Sequence, residues 1–166
     1  MTAAAWWYRH QTRRLLRHLR DPRWELVLAV SPDVEGLQSR IWPPDLARVP
    51  QGRGDLGERM RTVLAKTPGP SILVGSDIPG IRSAHIAEAF SKLGGAASVI
   101  GPGSDGGFWL IGLQRPMRQS AKFFRGIRWS HAETLADTLP TLPKPVAFSS
   151  VLSDVDSATD LERKCT

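Results

Sequence analysis

Four short segments place aspartate, in three of them among glycines, in the way that phosphate and metal chemistry needs. The first is Gln51-Gly52-Arg53-Gly54-Asp55-Leu56-Gly57-Glu58-Arg59-Met60. Asp55 is suited to cap a helix start, with Glu58 reaching back from three residues on. The amides exposed at such a start attract anions, and Arg53 and Arg59 add positive charge beside them. The second is Gly75-Ser76-Asp77-Ile78-Pro79-Gly80, where an aspartate directly follows an apolar run. A carboxylate in that place can hold a divalent cation against a diphosphate, because Mg²⁺ is bound by one or two carboxylates together with substrate phosphates.

The third segment, Gly101-Pro102-Gly103-Ser104-Asp105-Gly106-Gly107-Phe108-Trp109, joins two apolar runs through a glycine-rich loop. The glycines after Asp105 permit a ligand to approach the backbone closely. The fourth, Asp154-Val155-Asp156-Ser157-Ala158-Thr159-Asp160-Leu161, offers one aspartate to cap a final helix and another as a metal ligand. Spacing does not say which aspartate does which. Each segment also has a plain structural reading: a capped surface helix, an Asx turn before Pro79, a hairpin turn, and a C-terminal cap.

The histidines add no chemistry of their own. His10 and His18 lie on one basic segment, while His85 and His131 are far apart in sequence, and none has metal-ligand spacing. Cys165 is the single cysteine, so an intrachain disulfide framework is excluded and a reducing, cytoplasmic setting is expected.

These segments need a scaffold that gathers them. Residues 3–20 read as an amphipathic helix, with Ala5, Tyr8, Thr12, Leu15, Leu16 and Leu19 on one stripe and arginines on another face. Strands are expected over 24–30, 71–75, 97–101, 108–113 and 145–148, the first two as apolar runs buried on both faces. Helices are expected over 55–66, 83–93 and 131–139, the last capped by Ser130 and Glu133, with a final turn or two over 158–164. Residues 33–50 carry Pro43, Pro44 and Pro50 and read as irregular.

Strands alternating with helices point to one α/β domain: a three-layer α/β/α sandwich around a mostly parallel, Rossmann-like sheet. In such folds ligands bind beyond the carboxyl ends of the strands, where the aspartate-bearing turns fall.

Composition narrows the function classes. The chain has 166 residues, 41% of them hydrophobic, which suits one domain with a hydrophobic core. No apolar run approaches the ~20 residues of a membrane-spanning helix, and no secretory leader is legible. The net charge is +6, and five of the basic residues (Arg9, Arg13, Arg14, Arg17 and Arg20) fall in the first twenty positions, with no acid among them. The rest is near neutral, which argues against a dedicated nucleic-acid binder. A solvated helix face explains those arginines, with an anionic surface as the other reading.

QGRGDLGERM, LVGSDIPGI, GPGSDGGFWLIGL, GIRWS and DVDSATDL occur in the order and spacing of the rSAM/selenodomain-associated transferase family. The chain resembles those bacterial proteins over nearly its whole length. They are grouped with glycosyltransferases of the GT-A, nucleotide-diphospho-sugar transferase fold. The resemblance implies a metal-dependent glycosyltransferase or nucleotidyltransferase, with a nucleotide or nucleotide-sugar and a small-molecule acceptor as partners.

By the same resemblance, Asp77 and Asp156 hold Mg²⁺ or Mn²⁺, and Gln51, Gly52, Gly54, Asp55 and Arg59 flank the nucleotide. Asp77 and Asp105 are the catalytic candidates, Asp105 orienting or deprotonating the acceptor. Gly106 and Gly107 line the acceptor side, with Trp129 and Ser130 near the pocket. His131 stands where the family has threonine. Family members begin with a strand and a phosphate-binding loop, whereas here Met1 falls at the following helix. Either the true start lies upstream, the reading preferred here, or this is a shortened copy, and a non-catalytic binding protein on a degenerate transferase fold is the alternative function.

Overall fold

The computed structural model describes residues 3–78 and 80–152. In chain order they form α1 (Ala3–Leu19), β1 (Val27–Val30), α2 (Asp33–Gln38), β2 (Ala47–Pro50), α3 (Leu56–Ala65), β3 (Ser71–Val74), α4 (Ser83–Leu93), β4 (Ser98–Pro102), β5 (Phe108–Leu113), α5 (Thr134–Thr138) and β6 (Val146–Phe148). Single 3₁₀ turns lie at Pro116–Arg118 and Leu139–Thr141. The turns expected over 158–164 lie outside the described residues. No described helix is long and apolar enough to cross a membrane.

The α/β class is as expected. The larger sheet has the order β3-β5-β4-β6, and β1 and β2 form a separate parallel pair. In the larger sheet β5 runs antiparallel to both β3 and β4, while β6 is parallel to β4. Three strands therefore share one direction and β5 alone is reversed. The reversal follows from the glycine-rich loop after β4, which closes as a hairpin with the Gly103 amide donating to the Gly107 carbonyl at 2.9 Å.

Alternation along the strands feeds two apolar layers. Ile72, Val74 and Val99 pack with Leu15 and Leu19 of α1 and with Ile86, Ala89 and Leu93 of α4. Leu73, Ile100 and Ile111 turn the other way, onto Met60 and Leu64 of α3 and onto Phe123 and Phe124. The helical stripe read from the sequence is buried where it is described: Thr12, Leu15, Leu16 and Leu19. A bulge in the β4–β5 ladder, where Gly101 pairs with Leu110 but Pro102 with Phe108, leaves Trp109 as the extra residue. Its ring lies over Gly101, where a Cβ would come within 2.6 Å of it.

Three expectations need correction. Residues 33–50 are not irregular: they hold α2 and β2. A six-residue helix containing Gly36 and a four-residue strand carrying Arg48 and Pro50 are too short and polar for a periodic signal. Arg48 orders the region by donating to the carbonyls of Leu37, Ser39 and Trp42, which close the end of α2.

β1 is not buried on both faces either. Val27 is 40% exposed, because β1 sits in a two-stranded sheet. Finally, the helix expected over 131–139 shrinks to α5, and Ser130 does not cap it. Ser130 has φ +54°, outside the extended geometry a cap needs. The turn is held instead by Thr134, whose hydroxyl accepts from the His131 amide and lies 2.7 Å from the Arg128 carbonyl and 2.6 Å from that of His131.

Candidate functional site

Since β3, β4 and β6 point the same way, the turns that follow them lie along one edge of the sheet, with β5 between β3 and β4. Asp77 lies in the turn after β3, Asp105 in the turn after β4, and the 149–152 segment follows β6. The Leu152 amide donates to the Pro102 carbonyl, and the Ser104 amide donates to Leu152, so the chain after β6 runs beside the Asp105 loop. Asp154 and Asp156, expected to cap and to bind metal, lie outside the described residues.

The loop from β2 into α3 is shaped by the residues expected to flank a nucleotide. The Gln51 side chain donates to the Ala29 carbonyl and its amide to Val30, which extends the β1–β2 ladder. Asp55 accepts the Glu58 amide at 2.8 Å, and Glu58 accepts the Asp55 amide at 3.0 Å, the reciprocal capping expected from their spacing. Arg59 donates through Nε to the Gly54 carbonyl. Gly54 has φ +110°, and a Cβ there would collide with the Glu58 carboxylate, so only glycine lets the two caps close. Gln51, Asp55 and Arg59 thus build the loop. The Gly52 amide, at φ +80°, donates to Asp33 of α2. Sequence reasoning passed over Asp33. Its one signal was an aspartate shortly after a strand, in Ser31-Pro32-Asp33.

The Asp105 carboxylate accepts the Gly107 amide at 2.9 Å, an Asx turn inside the hairpin. It fills space left free at Gly103, where a Cβ would come within 2.6 Å of it. Gly106 has φ +88°, and the place of its missing Cβ is taken by the Ala132 carbonyl, so its close neighbour is protein backbone. The Leu135 amide donates to the Gly106 carbonyl from the same segment. Asp77 differs from these residues. It is exposed, and its carboxylate takes no hydrogen bond or ion pair from the described residues.

An aromatic wall joins these parts. Phe108, at the start of β5, stacks on Phe124 with centroids 6.1 Å apart, and Trp129 meets both rings edge-on at 6.3 and 5.7 Å. Trp129 lies against Gly57 in the first turn of α3, where a Cβ would come within 2.6 Å of its ring. Its indole N–H is buried without an acceptor among the described residues. Among the described residues, Phe124 and Ser130 are the non-glycine residues with positive φ, at +57° and +54°. Strain of this kind costs on the order of 1–3 kcal/mol per residue and is kept where surroundings enforce it.

Two residues before Ser130, Arg128 donates from its backbone and both arms of its guanidinium to Asp137. Those hydrogen bonds hold the Asp137 carboxyl down at about 2. His131 is exposed and accepts the Glu133 amide on Nδ1.

Among the described residues no three His, Cys, Asp or Glu side chains are grouped to hold a metal ion. Asp77, uncommitted and at a strand end, suits a cation completed by substrate phosphates.

These layers, with their aspartate-bearing turns gathered on one sheet edge, define an α/β chain of the nucleotide-diphospho-sugar transferase fold. A crystal structure of a "putative nucleotide-diphospho-sugar transferase" from Desulfovibrio desulfuricans G20 matches with a TM-score of 0.77 and 29% identity, over 93% of this chain and 71% of that one. The chain belongs to the DUF2064 family, described as uncharacterized protein conserved in bacteria, whose model matches residues 15–131. It is also 28% identical over 150 residues to a 2-phospho-L-lactate guanylyltransferase from Methanosarcina acetivorans, covering 89% of this chain and 68% of that protein.

Proposed function

We propose that this chain is a metal-dependent transferase acting on a nucleotide-activated substrate, and that the group it moves is a nucleotidyl unit. The observation carrying the reading is Asp77: at the carboxyl edge that carries the turns after β3, β4 and β6, its carboxylate is exposed and unclaimed by the described residues. The likeness to a guanylyltransferase favours nucleotidyl over glycosyl transfer. The motifs that resemble those of the rSAM/selenodomain-associated transferases support the coarser transferase reading.

In this reading Asp77, with Asp156 as a second carboxylate, holds Mg²⁺ or Mn²⁺. The cation supplies charge neutralisation on the donor's phosphates. The 51–59 loop presents the first-turn amides of α3 to the nucleotide, and its caps and glycines fix that geometry in advance of binding. Asp105 lies on the neighbouring hairpin and takes the proton of the acceptor's hydroxyl. Trp129 and Ser130 bound the acceptor side, in a segment pinned by the Arg128–Asp137 pair.

Product analysis tests the reading. Incubation with nucleoside triphosphates, Mn²⁺ and candidate acceptors should release inorganic pyrophosphate and form a nucleotidylated acceptor. Release of a nucleoside diphosphate from a nucleotide-sugar would instead assign glycosyl transfer. Neither product, from a folded chain that binds nucleotide, would sink the enzymatic reading in favour of a binding protein.

A further inference from the structure

Between the first two turns of α3 and the chain after Phe124 lies a cavity of about 500 Å³ whose lining includes Arg53, Arg61, Arg125, Asp55, Glu58 and Phe124. Its three guanidinium groups come from three places: the β2–α3 loop, the second turn of α3, and the turn that follows Phe124. Arg61 is partly committed, donating to the Phe123 carbonyl at 3.2 Å. Arg53 and Arg125 are exposed and have no ion-pair or side-chain hydrogen-bond partner among the described residues.

The two carboxylates in the lining do not pair with these arginines, because each accepts the other's backbone amide in the cap. Two uncommitted guanidinium groups facing one small polar cavity are matched by a compact dianion, since the planar fork of arginine fits phosphate and carboxylate oxygens two at a time.

The cavity adjoins the candidate site through one wall. Phe124 lines it and meets Trp129 edge-on at 5.7 Å, while Gly57 packs under both residues. The strained φ of Phe124 sets the course of the chain that presents Arg125.

We propose that this cavity holds an anionic group of the acceptor, a phosphate or a carboxylate, with Arg53 and Arg125 as its principal contacts and Arg61 behind them. The acceptor is then a small phosphorylated or carboxylated hydroxy compound. The assignment rests on the transferase reading for the word acceptor, and the anion site itself rests on the cavity.

The test titrates wild-type chain and the Arg53→Gln/Arg125→Gln double variant with phosphoglycolate, with inorganic phosphate and, separately, with a Mn²⁺–nucleotide, by calorimetry. Both substituted side chains are exposed, so the variant should melt as the wild type does, and an Arg53→Lys/Arg125→Lys variant keeps the charge. The proposal expects phosphoglycolate to bind the wild type and to weaken at least about tenfold in the glutamine variant, with partial recovery in the lysine variant. Inorganic phosphate should compete for the same place.

Equal binding of phosphoglycolate to wild type and glutamine variant, or none to the wild type at millimolar concentration, overturns it. So does a loss confined to nucleotide binding, which would give the cavity to the donor's phosphates. If the wild type binds phosphoglycolate through these arginines but binds no nucleotide, the anion site stands and the transferase reading fails.

Discussion

The carboxylates of Asp55 and Glu58 each accept the other's backbone amide, at 2.8 and 3.0 Å, across the first turn of α3. The pair closes the helix start over Gly54 and fixes the path of the 51–55 loop. Removing either cap orphans an amide at the helix start. Asp55→Ala should lower stability by about 1 kcal/mol, and Glu58→Ala by less, as read from urea denaturation midpoints. Additive losses in the double variant would contradict a mutual cap, whose members should couple.

Gly106 cannot accept a side chain. Its φ of +88° disfavours one, and the Ala132 carbonyl occupies the space. Gly106→Ala should cost more than about 1 kcal/mol. It should also loosen the 128–132 segment, seen as faster amide exchange at Leu135, which donates to the Gly106 carbonyl. Unchanged exchange there would mean that the hairpin and that segment are not coupled.

Thr134 holds the segment from the other end. It is 6% exposed and its hydroxyl sits among the Arg128 carbonyl, the His131 carbonyl and the His131 amide. Thr134→Val keeps the shape but leaves backbone groups without a partner, so a loss of about 1–3 kcal/mol is expected, against a smaller loss for Thr134→Ser. The thermal midpoints of the two variants decide this.

Acid should weaken the fold over a defined range. Asp21 is held at about 2 by hydrogen bonds from the Arg23 side chain and amide, and Asp137 at about 2 by those from Arg128. A carboxyl whose folded value is depressed contributes stability above its unfolded value near 4, and that stability is lost as pH falls towards 2. Stability should therefore decline from about pH 4 to pH 2. Asp137→Asn should be less stable than wild type at pH 7 and flatter across that range. A parallel decline in both proteins would show that the pair is not responsible.

Two segments with the same Ser/Asp-x-x-Glu spacing behaved differently, and the contrast shows what a sequence can convey. Asp55 and Glu58 form their cap because the capping atoms are local and Gly54 clears the space. Ser130 and Glu133 have equal spacing, yet Arg128, bound to Asp137, and Thr134, bound to Arg128, bend the chain so that Ser130 adopts φ +54°. Those partners lie up to nine residues apart and no local rule weighs them.

Strands β4 and β5 were legible because their residues are nearly all apolar and buried. Strand β2 was not, since four residues including Arg48 and Pro50 carry no period. Within the site, Asp77 and Asp105 were legible as acids after apolar runs. Asp33, Phe124 and Arg125 were not, because their neighbours come from other elements.

The central claim is that an uncommitted Asp77 supports metal-dependent nucleotide binding. It is tested most directly by thermal-shift titration of wild type and Asp77→Asn with nucleoside triphosphates, with and without Mn²⁺. The wild type should show a Mn²⁺-dependent stabilisation, about 2.7 kcal/mol at a hundred times the dissociation constant. In Asp77→Asn the stabilisation should be absent while the ligand-free melting temperature is unchanged, since that carboxylate takes no hydrogen bond or ion pair from the described residues. A Mn²⁺-dependent shift of equal size in both proteins, or none in the wild type, would contradict it.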